Sequence, residues 1–228
     1  MKVAGLADLL FPPACAGCGR LARGGFCVAC INAVPRLGPA TCVFCGCPAA
    51  NPVQGCRDCR GGVHRFDRAM QAVAFDSNVR KVIHRFKYQG ERCLAGPLSL
   101  FLLDLADPSS FDAITWVPPQ SDRMRERGFD HGRLLASTFA GLTRATAQQM
   151  LRRVRRAAPQ MRLDPPGRRA NLRGAFAAEG DIPNAVLLVD DVFTTGATAS
   201  EAARALKAGG ASHVEVACIA RTLAPRGK

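Results

Sequence analysis

The chain has 228 residues, which is enough for one full hydrophobic core together with a smaller module. Hydrophobic residues make up 48% of the sequence and charged residues 21%, which are ordinary values for a globular protein. This composition excludes a collagen-like chain, a coiled coil and a wholly disordered polypeptide.

Two apolar stretches are long enough to raise the question of a membrane-spanning helix or a targeting signal. Glycine, proline and aspartate interrupt the run at residues 94–106, so the sequence predicts no membrane-spanning helix. The patch at residues 3–11 contains Asp8 and precedes two prolines instead of a small-residue cleavage site. We therefore expect no signal peptide and a cytoplasmic protein.

The charge is strongly unbalanced, with 31 Lys and Arg residues against 18 Asp and Glu residues and a formal net charge of +13. Residues 144–173 contribute +8 of this charge, because nine arginines stand there with a single acid, Asp164. Such a block favours a polyanionic partner, but a solvated, mobile surface has the same composition.

Nine of the eleven cysteines lie between residues 15 and 59 and include four successive Cys-x-x-Cys pairs. Both thiolates of such a pair can bind one tetrahedral zinc ion, and two pairs complete a closed site. Disulfides are disfavoured in a reducing compartment, and a thioredoxin-like redox motif would be a single pair in a βαβ unit. The spacing predicts two structural zinc sites: Cys15, Cys18, Cys27 and Cys30, and Cys42, Cys45, Cys56 and Cys59.

The pairing of these cysteines leaves alternatives open. Alternate pairs could form a cross-braced arrangement, and Cys47 could replace a neighbouring ligand or remain a spare packed thiol. Cys93 and Cys218 have no cysteine nearby and are predicted to lie in a core. Because the segment is small and rich in Gly and Pro, metal binding should supply most of its folding free energy.

A larger domain is predicted after the cysteines, with boundaries at 1–63 for the zinc-binding domain and 64–228 for the second. Apolar runs alternate there with amphipathic stretches, which is typical of an α/β fold with a mostly parallel sheet and flanking helices. The predicted strands are 69–75, 112–117, 150–154, 185–190 and 213–220. The predicted helices are 78–88, 94–105, 127–143 and 196–208, and residues 157–174 are predicted as a long loop with a short helical piece.

The most informative motif is the segment 185–198, Ala-Val-Leu-Leu-Val-Asp-Asp-Val-Phe-Thr-Thr-Gly-Ala-Thr. An apolar strand delivers Asp190 and Asp191 at its carboxyl end, where ligands of open α/β sheets bind. Backbone N–H groups, Thr hydroxyls and the start of a helix can hold a phosphate, and paired carboxylates can accept hydrogen bonds from sugar hydroxyls. The segment predicts a site for a 5-phosphorylated ribose, and the plainer alternative is simple helix capping.

This segment resembles the phosphoribosyl pyrophosphate (PRPP) signature of type I phosphoribosyltransferases. The resemblance implies that Asp190 and Asp191 bind the ribose hydroxyls and that Mg²⁺ bridges ribose and pyrophosphate. It also implies that the following residues contribute to PRPP binding, mainly at the 5′-phosphate: Val192, Thr194, Thr195, Gly196, Ala197 and Thr198.

Further motifs extend the resemblance over nearly the whole chain. Lys87–Glu91, Val117–Pro119, Arg127–Asp130 and Arg169–Phe176 occur in the order typical of the ComF family. The chain therefore resembles ComF proteins, in which a double zinc ribbon precedes a type I phosphoribosyltransferase-like domain.

The ComF resemblance implies roles for additional residues. Pro118, Pro119 and Arg123 fall in the segment expected to hold the pyrophosphate, and Lys87 is a second candidate for it. Arg169 and Arg173 belong to the arginine-rich segment expected to close over PRPP. Since pyrophosphate departure calls for charge stabilisation, the predicted catalytic residues are Asp190, Asp191, Lys87 and Arg123.

Other polar residues are predicted to be structural. Asp130 stands where the family often has Asn, and its charge near the pyrophosphate segment favours a structural role. The remaining arginines of the basic block, including Arg153, are predicted to face solvent. The four histidines lack partners at ligand spacing in the sequence. They are predicted to be structural or surface residues: His64, His84, His131 and His213.

The resemblance implies a role in natural transformation, with single-stranded DNA and DNA-uptake proteins as partners. One class of function is a Mg²⁺-dependent phosphoribosyltransferase, including a metabolic enzyme acting on a small acceptor. The other is a binding module that uses PRPP as a ligand switch, while the zinc ribbon and the basic segment hold single-stranded DNA or a partner protein. The sequence does not identify an acceptor.

Overall fold

The structure is a computed structural model that describes residues 14–22, 24–56, 59, 64–155 and 165–223. Within this part of the chain, every helix is too short or too polar to span a lipid bilayer. In chain order the elements are α1 (Val28–Ala33), β1 (Arg68–Ala74), α2 (Ser77–Tyr88), α3 (Ala95–Leu103), β2 (Ala113–Trp116), α4 (Ser121–Arg127), α5 (His131–Thr143), β3 (Leu151–Arg153), α6 (Pro165–Leu172), β4 (Phe176–Ala178), β5 (Ala185–Phe193), α7 (Ala197–Ala208) and β6 (His213–Arg221).

The larger sheet has the strand order β1-β6-β5-β2, and all three neighbouring pairs are parallel. Alternate residues of β5 enter different cores: Leu187 packs with α2, α3 and α5 on one face, and Leu188 packs with α7 on the other. Strands β3 and β4 form a small antiparallel sheet beside α7. The predicted α/β fold with a parallel sheet and flanking helices is confirmed.

Two predicted elements differ from the structure. The single helix predicted over 127–143 is wrong, because Gly128 adopts φ +70° and ends α4, and the Asp130 carboxylate then caps α5 by accepting from the Arg133 N–H at 3.0 Å. Strand β5 continues to Phe193, since its last residues still pair with β6. Helices α1 and α4 and strand β4 were not predicted, and residues 156–164 of the predicted loop lie outside the described residues.

The cysteine-rich segment packs on both faces of the edge strand β1. Cys15 and Phe26 share a core with α2 and α3, whereas Cys45 shares a core with Phe193 and α7. The outer edge of β1 is also covered, because the Leu37 N–H donates to the Ala72 carbonyl at 2.8 Å and the Ala69 N–H donates to the Phe44 carbonyl at 2.7 Å. The segments on either side of residue 63 therefore share their hydrophobic cores, and the first covers a sheet edge that would otherwise be exposed.

Gly46 is expected to allow the close packing of the segment around Cys42 and Cys45 against β1. It has φ +67°, and a Cβ atom there would lie 2.7 Å from the Ala69 carbonyl oxygen and 2.6 Å from Gln71 Oε1. Gly46→Ala should therefore destabilise the fold by about 1–3 kcal/mol, measured as a lower Tm in thermal unfolding. Gly38→Ala is the matched control, because a Cβ at Gly38 meets nothing within 4 Å and the residue has no positive φ. Equal losses in both variants would contradict this role.

Candidate functional site

A cavity of about 360 Å³ opens at the carboxyl ends of β1, β2 and β5. This is the edge of an open α/β sheet at which ligands bind. Strand β5 contributes its acid pair, α4 and α5 contribute basic residues, and α2 contributes its last turn. The lining residues are Phe75, Lys87, Tyr88, Val117, Pro118, Pro119, Gln120, Arg123, Arg127, His131, Arg153, Asp190, Asp191, Val192, Thr194 and Thr198.

Asp191 lies at the centre of a buried ion pair. Its carboxylate oxygen Oδ2 is 2.5 Å from Lys87 Nζ and 3.1 Å from His131 Nε2, and the residue is 4% exposed. Burial opposes ionisation, but the Lys87 charge, followed by the hydrogen bond from His131, outweighs burial and holds the pKa of Asp191 well below its usual range. Asp191 is therefore a carboxylate throughout the neutral pH range.

The pKa of Asp190 is shifted in the opposite direction from that of Asp191. It is only partly buried, and its Oδ1 accepts a hydrogen bond from the Asp191 N–H at 2.9 Å. Burial, and then the neighbouring Asp191 charge, raise the pKa of Asp190 to about 7, because the Lys87 and Arg153 charges offset only part of both effects. The two adjacent acids therefore ionise in different pH ranges, which is a frequent property of functional sites.

His131 and Arg127 extend the contacts of Asp191. Arg127 Nη1 lies 3.0 Å from His131 Nδ1, and the guanidinium can only donate there. The imidazole proton is therefore on Nε2, from which it is donated to Asp191. His131 is 8% exposed and lines the cavity, where its partner Asp191 is a contact that the sequence spacing did not reveal.

Arg153 is a second residue of the site that the sequence analysis missed. Its guanidinium lies 4.5 Å from the centroid of the Phe176 ring, Nε donates to the Pro118 carbonyl at 3.4 Å, and the buried Nη1 has no hydrogen-bond partner. Burial, and then the Arg123 charge, lower the pKa of Arg153 to about 10. It does not face solvent as predicted, and its unpartnered donor beside the 118–121 segment suits an anion.

The loop between β5 and α7 has a compact conformation that depends on Gly196. Gly196 has φ +72° and stands at the N-cap of α7, and the Ala197 N–H donates to Thr195 Oγ1 at 3.4 Å. This geometry brings Thr194 and Thr198 to the cavity beside the first turn of α7. The conformation of the loop depends on the three residues between them, Thr195, Gly196 and Ala197, none of which lines the cavity.

The other predicted residues divide into three groups. Lys87, Pro118, Pro119, Arg123 and Val192 line the cavity with the acid pair. Arg173 is exposed and outside the lining, where its carbonyl accepts from Arg155 Nη2 at 2.7 Å, and the Arg169 side chain lies outside the described residues. Asp130 is structural as predicted, because it caps α5 and accepts from Trp116 Nε1 at 3.0 Å.

The cysteines form two four-residue clusters from successive pairs, which rules out the cross-braced alternative. Within each cluster the ligand atoms all lie within 4.8 Å of one another. The Sγ–Sγ distances include 3.9 Å for Cys18–Cys27 and 3.5 Å for Cys45–Cys56. A tetrahedron with Zn–S bonds of about 2.3 Å has edges of about 3.8 Å, so both clusters fit zinc. We name them cluster 1 (Cys15, Cys18, Cys27, Cys30) and cluster 2 (Cys42, Cys45, Cys56, Cys59).

The remaining cysteines belong to neither cluster. The Cys47 carbonyl accepts the Cys42 N–H at 2.8 Å, so Cys47 supports the turn of cluster 2 through its backbone. Cys218 is buried as predicted, whereas Cys93 is exposed, so its predicted core position is wrong.

The thiols of each cluster differ in acidity. Burial raises the pKa of Cys15, but hydrogen bonds from the backbone N–H groups of Cys27, Cys18 and Gly17 outweigh burial and lower it to about 6. Burial, and then hydrogen bonds with neighbouring thiols, raise the pKa of Cys30 to about 12. One thiol of the cluster thus ionises readily, and the full set of thiolates needs a cation, which agrees with a metal-binding role.

Comparison with known proteins places the chain in a family. Residues 6–60 match the family model "Double zinc ribbon domain". The DNA utilization protein YhgH of Salmonella typhimurium is 34% identical over 212 residues, which cover 89% of this chain and 93% of that protein. Competence protein F of Haemophilus influenzae is 28% identical over 91% of this chain and 95% of its own. The chain belongs to the ComF family.

Among solved structures, orotate phosphoribosyltransferase from Aeropyrum pernix aligns with this ComF protein with a TM-score of 0.36 and 21% identity over 64% of each chain. The parallel sheet, the acid pair on β5 and the adjoining loop described above are features of the ComF protein's own structure.

Asp190 is expected to lower the stability of the protein above neutral pH. Its pKa is about 7 in the folded state, against roughly 3.9 for an unperturbed aspartate, so between about pH 4 and 7 the unfolded state releases its proton first. The free energy of unfolding therefore falls as pH rises through this window. Asp190→Asn should raise the Tm at pH 8, with the difference shrinking toward pH 4.

The control for this measurement is Asp181→Asn, which removes an exposed aspartate outside the cavity. At pH 8 it should raise the Tm much less than Asp190→Asn does. An Asp190→Asn protein that is no more stable than wild type at pH 8 would contradict the raised pKa of Asp190.

Proposed function

We propose that this ComF protein binds PRPP with Mg²⁺ in the cavity at the carboxyl ends of β1, β2 and β5, and that it acts in DNA utilisation or uptake. The observation that carries the proposal is the acid pair of β5, followed directly by the Thr194–Thr198 loop, in a cavity that also contains four cationic side chains: Lys87, Arg123, Arg127 and Arg153. Sugar hydroxyls, a terminal phosphate and a pyrophosphate are the groups that these three features suit.

In the proposed complex, Asp190 accepts hydrogen bonds from the ribose hydroxyls, and Asp191 contributes its charge from its position between Lys87 and His131. Thr194, Thr198 and the first N–H groups of α7 hold the 5′-phosphate. Mg²⁺ bound with PRPP neutralises part of the pyrophosphate charge. A cation fits this cavity because nearby positive charge lowers the raised pKa of Asp190 and restores its carboxylate.

The basic residues would stabilise a departing pyrophosphate if an acceptor attacks C1 of the ribose. Arg123 lies on α4 directly after the Pro118–Pro119 segment, and Arg153 donates to the Pro118 carbonyl, so both lie beside the proposed pyrophosphate position. Such a reaction passes through an oxocarbenium-like state, in which fixed positive charge at the leaving group lowers the barrier. Lys87 would move between Asp191 and the pyrophosphate in this scheme.

We also propose that clusters 1 and 2 each bind one zinc ion. All four positions of a tetrahedral ion are occupied by cysteines in each cluster, so the metal has a structural role and leaves no open position for catalysis.

The role in DNA handling is proposed from the names of the relatives and from the position of the basic residues. A second cavity of about 330 Å³ shares the Pro118–Gln120 segment and Arg153 with the first and is also lined by the exposed side chains of Arg152 and Arg155. Single-stranded DNA phosphates bound there would lie next to the PRPP site.

PRPP binding is tested by isothermal titration of PRPP with Mg²⁺ into the purified protein. The wild type should bind, and the Asp190→Asn/Asp191→Asn variant should bind about 100-fold more weakly, because it loses the charged acceptor for the ribose hydroxyls and the carboxylate that holds Lys87 and His131 in place. The control variant Asp104→Asn/Asp181→Asn removes the same formal charge from exposed positions outside the cavity and should bind as wild type does. No binding by the folded wild-type protein would refute the proposal.

DNA binding is tested by fluorescence anisotropy with a single-stranded oligonucleotide at increasing NaCl concentration. The affinity should fall steeply with salt, and Arg152→Gln/Arg155→Gln should lower both the affinity and the salt dependence. Arg68→Gln/Lys81→Gln changes two exposed cations that line neither cavity and serves as the matched control. Binding that is absent, or insensitive to salt, would count against the DNA-handling role.

A further inference from the structure

Arg221, at the end of β6, is one of the few charged side chains in the core. It is 4% exposed. Its Nη1 donates to the Cys45 carbonyl at 2.7 Å and to Gln71 Oε1 at 3.4 Å, and its Nη2 lies 3.8 Å from Cys45 Sγ. The guanidinium therefore binds cluster 2 through both the backbone and the sulfur of one of its cysteines.

The same guanidinium also contacts the loop beside the cavity. Its Cζ lies 4.9 Å from the centroid of the Phe193 ring, and the two residues are paired in neighbouring strands. The Phe193 ring in turn supports Gly196, since a Cβ atom on Gly196 would lie 2.5 Å from Phe193 Cζ. Two more aromatic residues pack with Phe193 in a layer: His64 stacks on Phe66, and the Phe66 ring meets the Phe193 ring edge-on.

These contacts form a continuous path from Cys45 through Arg221 and Phe193 to Gly196. If cluster 2 opens, the carbonyl and sulfur of Cys45 are displaced, and a buried guanidinium loses acceptors that it needs. Arg221 would keep Gln71 Oε1 as an acceptor but lose its shortest hydrogen bond, which would weaken its hold on the Phe193 ring. Because that ring packs against Gly196 at the start of α7, a change in its position would reach the loop.

Cluster 1 offers an internal comparison. Cys15 packs with Phe26 and Leu94 in the other core, on the opposite face of the sheet from Phe193 and Cys45. Its loss should therefore leave the Thr194–Thr198 loop in place.

We infer that Arg221 is a positioning residue through which the metal-bound cluster 2 holds the Thr194–Thr198 loop in its ligand-binding conformation. The inference rests on the proposed function in one respect, namely that this loop binds the phosphate of PRPP. It assigns the two zinc sites different roles, because only cluster 2 is coupled to the cavity.

The coupling is tested first without ligand, by hydrogen–deuterium exchange of the segment 193–200. Cys56→Ser disables cluster 2, Cys18→Ser disables cluster 1, and Arg221→Met removes the link while keeping all eight ligands. Metal analysis should find about two zinc ions per chain in wild type and Arg221→Met, and about one in each cysteine variant. Exchange should rise about tenfold in Cys56→Ser and Arg221→Met and stay at the wild-type rate in Cys18→Ser.

A double-mutant cycle then separates coupling from general destabilisation. The affinity for PRPP with Mg²⁺ should fall about tenfold in Cys56→Ser and in Arg221→Met, with no further loss in the double variant, because both changes break one path. Arg221→Lys should recover part of the affinity, since an ammonium can still donate to the Cys45 carbonyl. If Cys56→Ser does not fold, Phe193→Leu replaces it in the cycle, because it breaks the same path with both metal sites intact.

Two results would refute the inference, and a third would separate it from the proposed function. Equal exchange at 193–200 in Cys56→Ser and Cys18→Ser would refute the coupling. Additive affinity losses in the double variant would show that Arg221 and cluster 2 act independently of each other, which would refute the path through Arg221. If the wild type fails to bind PRPP while exchange at 193–200 responds as expected, the proposed function is wrong and the support of the loop by cluster 2 stands.

Discussion

The buried carboxylate of Asp191 determines how the elements around the cavity meet. An aspartate that is 4% exposed stays ionised only with partners, and those partners come from separate elements: Lys87 from the last turn of α2 and His131 from the first turn of α5. Arg127 of α4 then fixes the tautomer of His131. One buried charge thus joins residues of α2 and α5 at the carboxyl end of β5 and, through His131, a residue of α4.

The cysteine clusters belong to the same structure and not to an appended module. Cluster 1 contributes to the core under α2 and α3, cluster 2 contributes to the core under α7, and the segment between them covers the edge of β1. Metal bound at the clusters would therefore stabilise more than the short segment that supplies the ligands. His64 and Phe66, which follow cluster 2 in the sequence, pack with Phe193 beneath the loop at the cavity.

Local patterns predicted much of this architecture, and long-range contacts account for what was missed. The Cys-x-x-Cys spacing and the Asp-Asp-Val-Phe-Thr-Thr-Gly segment are local patterns of a few consecutive residues, so both can be recognised in the sequence. The contact between His131 and Asp191 joins residues far apart in the chain and depends on the break at Gly128, which the helical periodicity concealed. Arg153 stands near arginines that face solvent, and its contacts with Phe176 of β4 and with the Pro118 carbonyl distinguish it.

Two charged residues of the cavity are unfavourable for the folded protein alone, and both suit one ligand chemistry. Burial and the Asp191 charge raise the pKa of Asp190 to about 7, and Arg153 keeps a buried Nη1 donor without a hydrogen-bond partner. Each is unfavourable for the folded protein alone, and both line one cavity. A ligand that donates hydroxyl hydrogen bonds, brings a cation and ends in a pyrophosphate would satisfy the acid and the arginine together. A neutral sugar would leave the Arg153 Nη1 donor unpaired, and a simple phosphate would bring neither hydroxyl donors nor a cation to Asp190, so the two residues together favour a ribose carrying both groups.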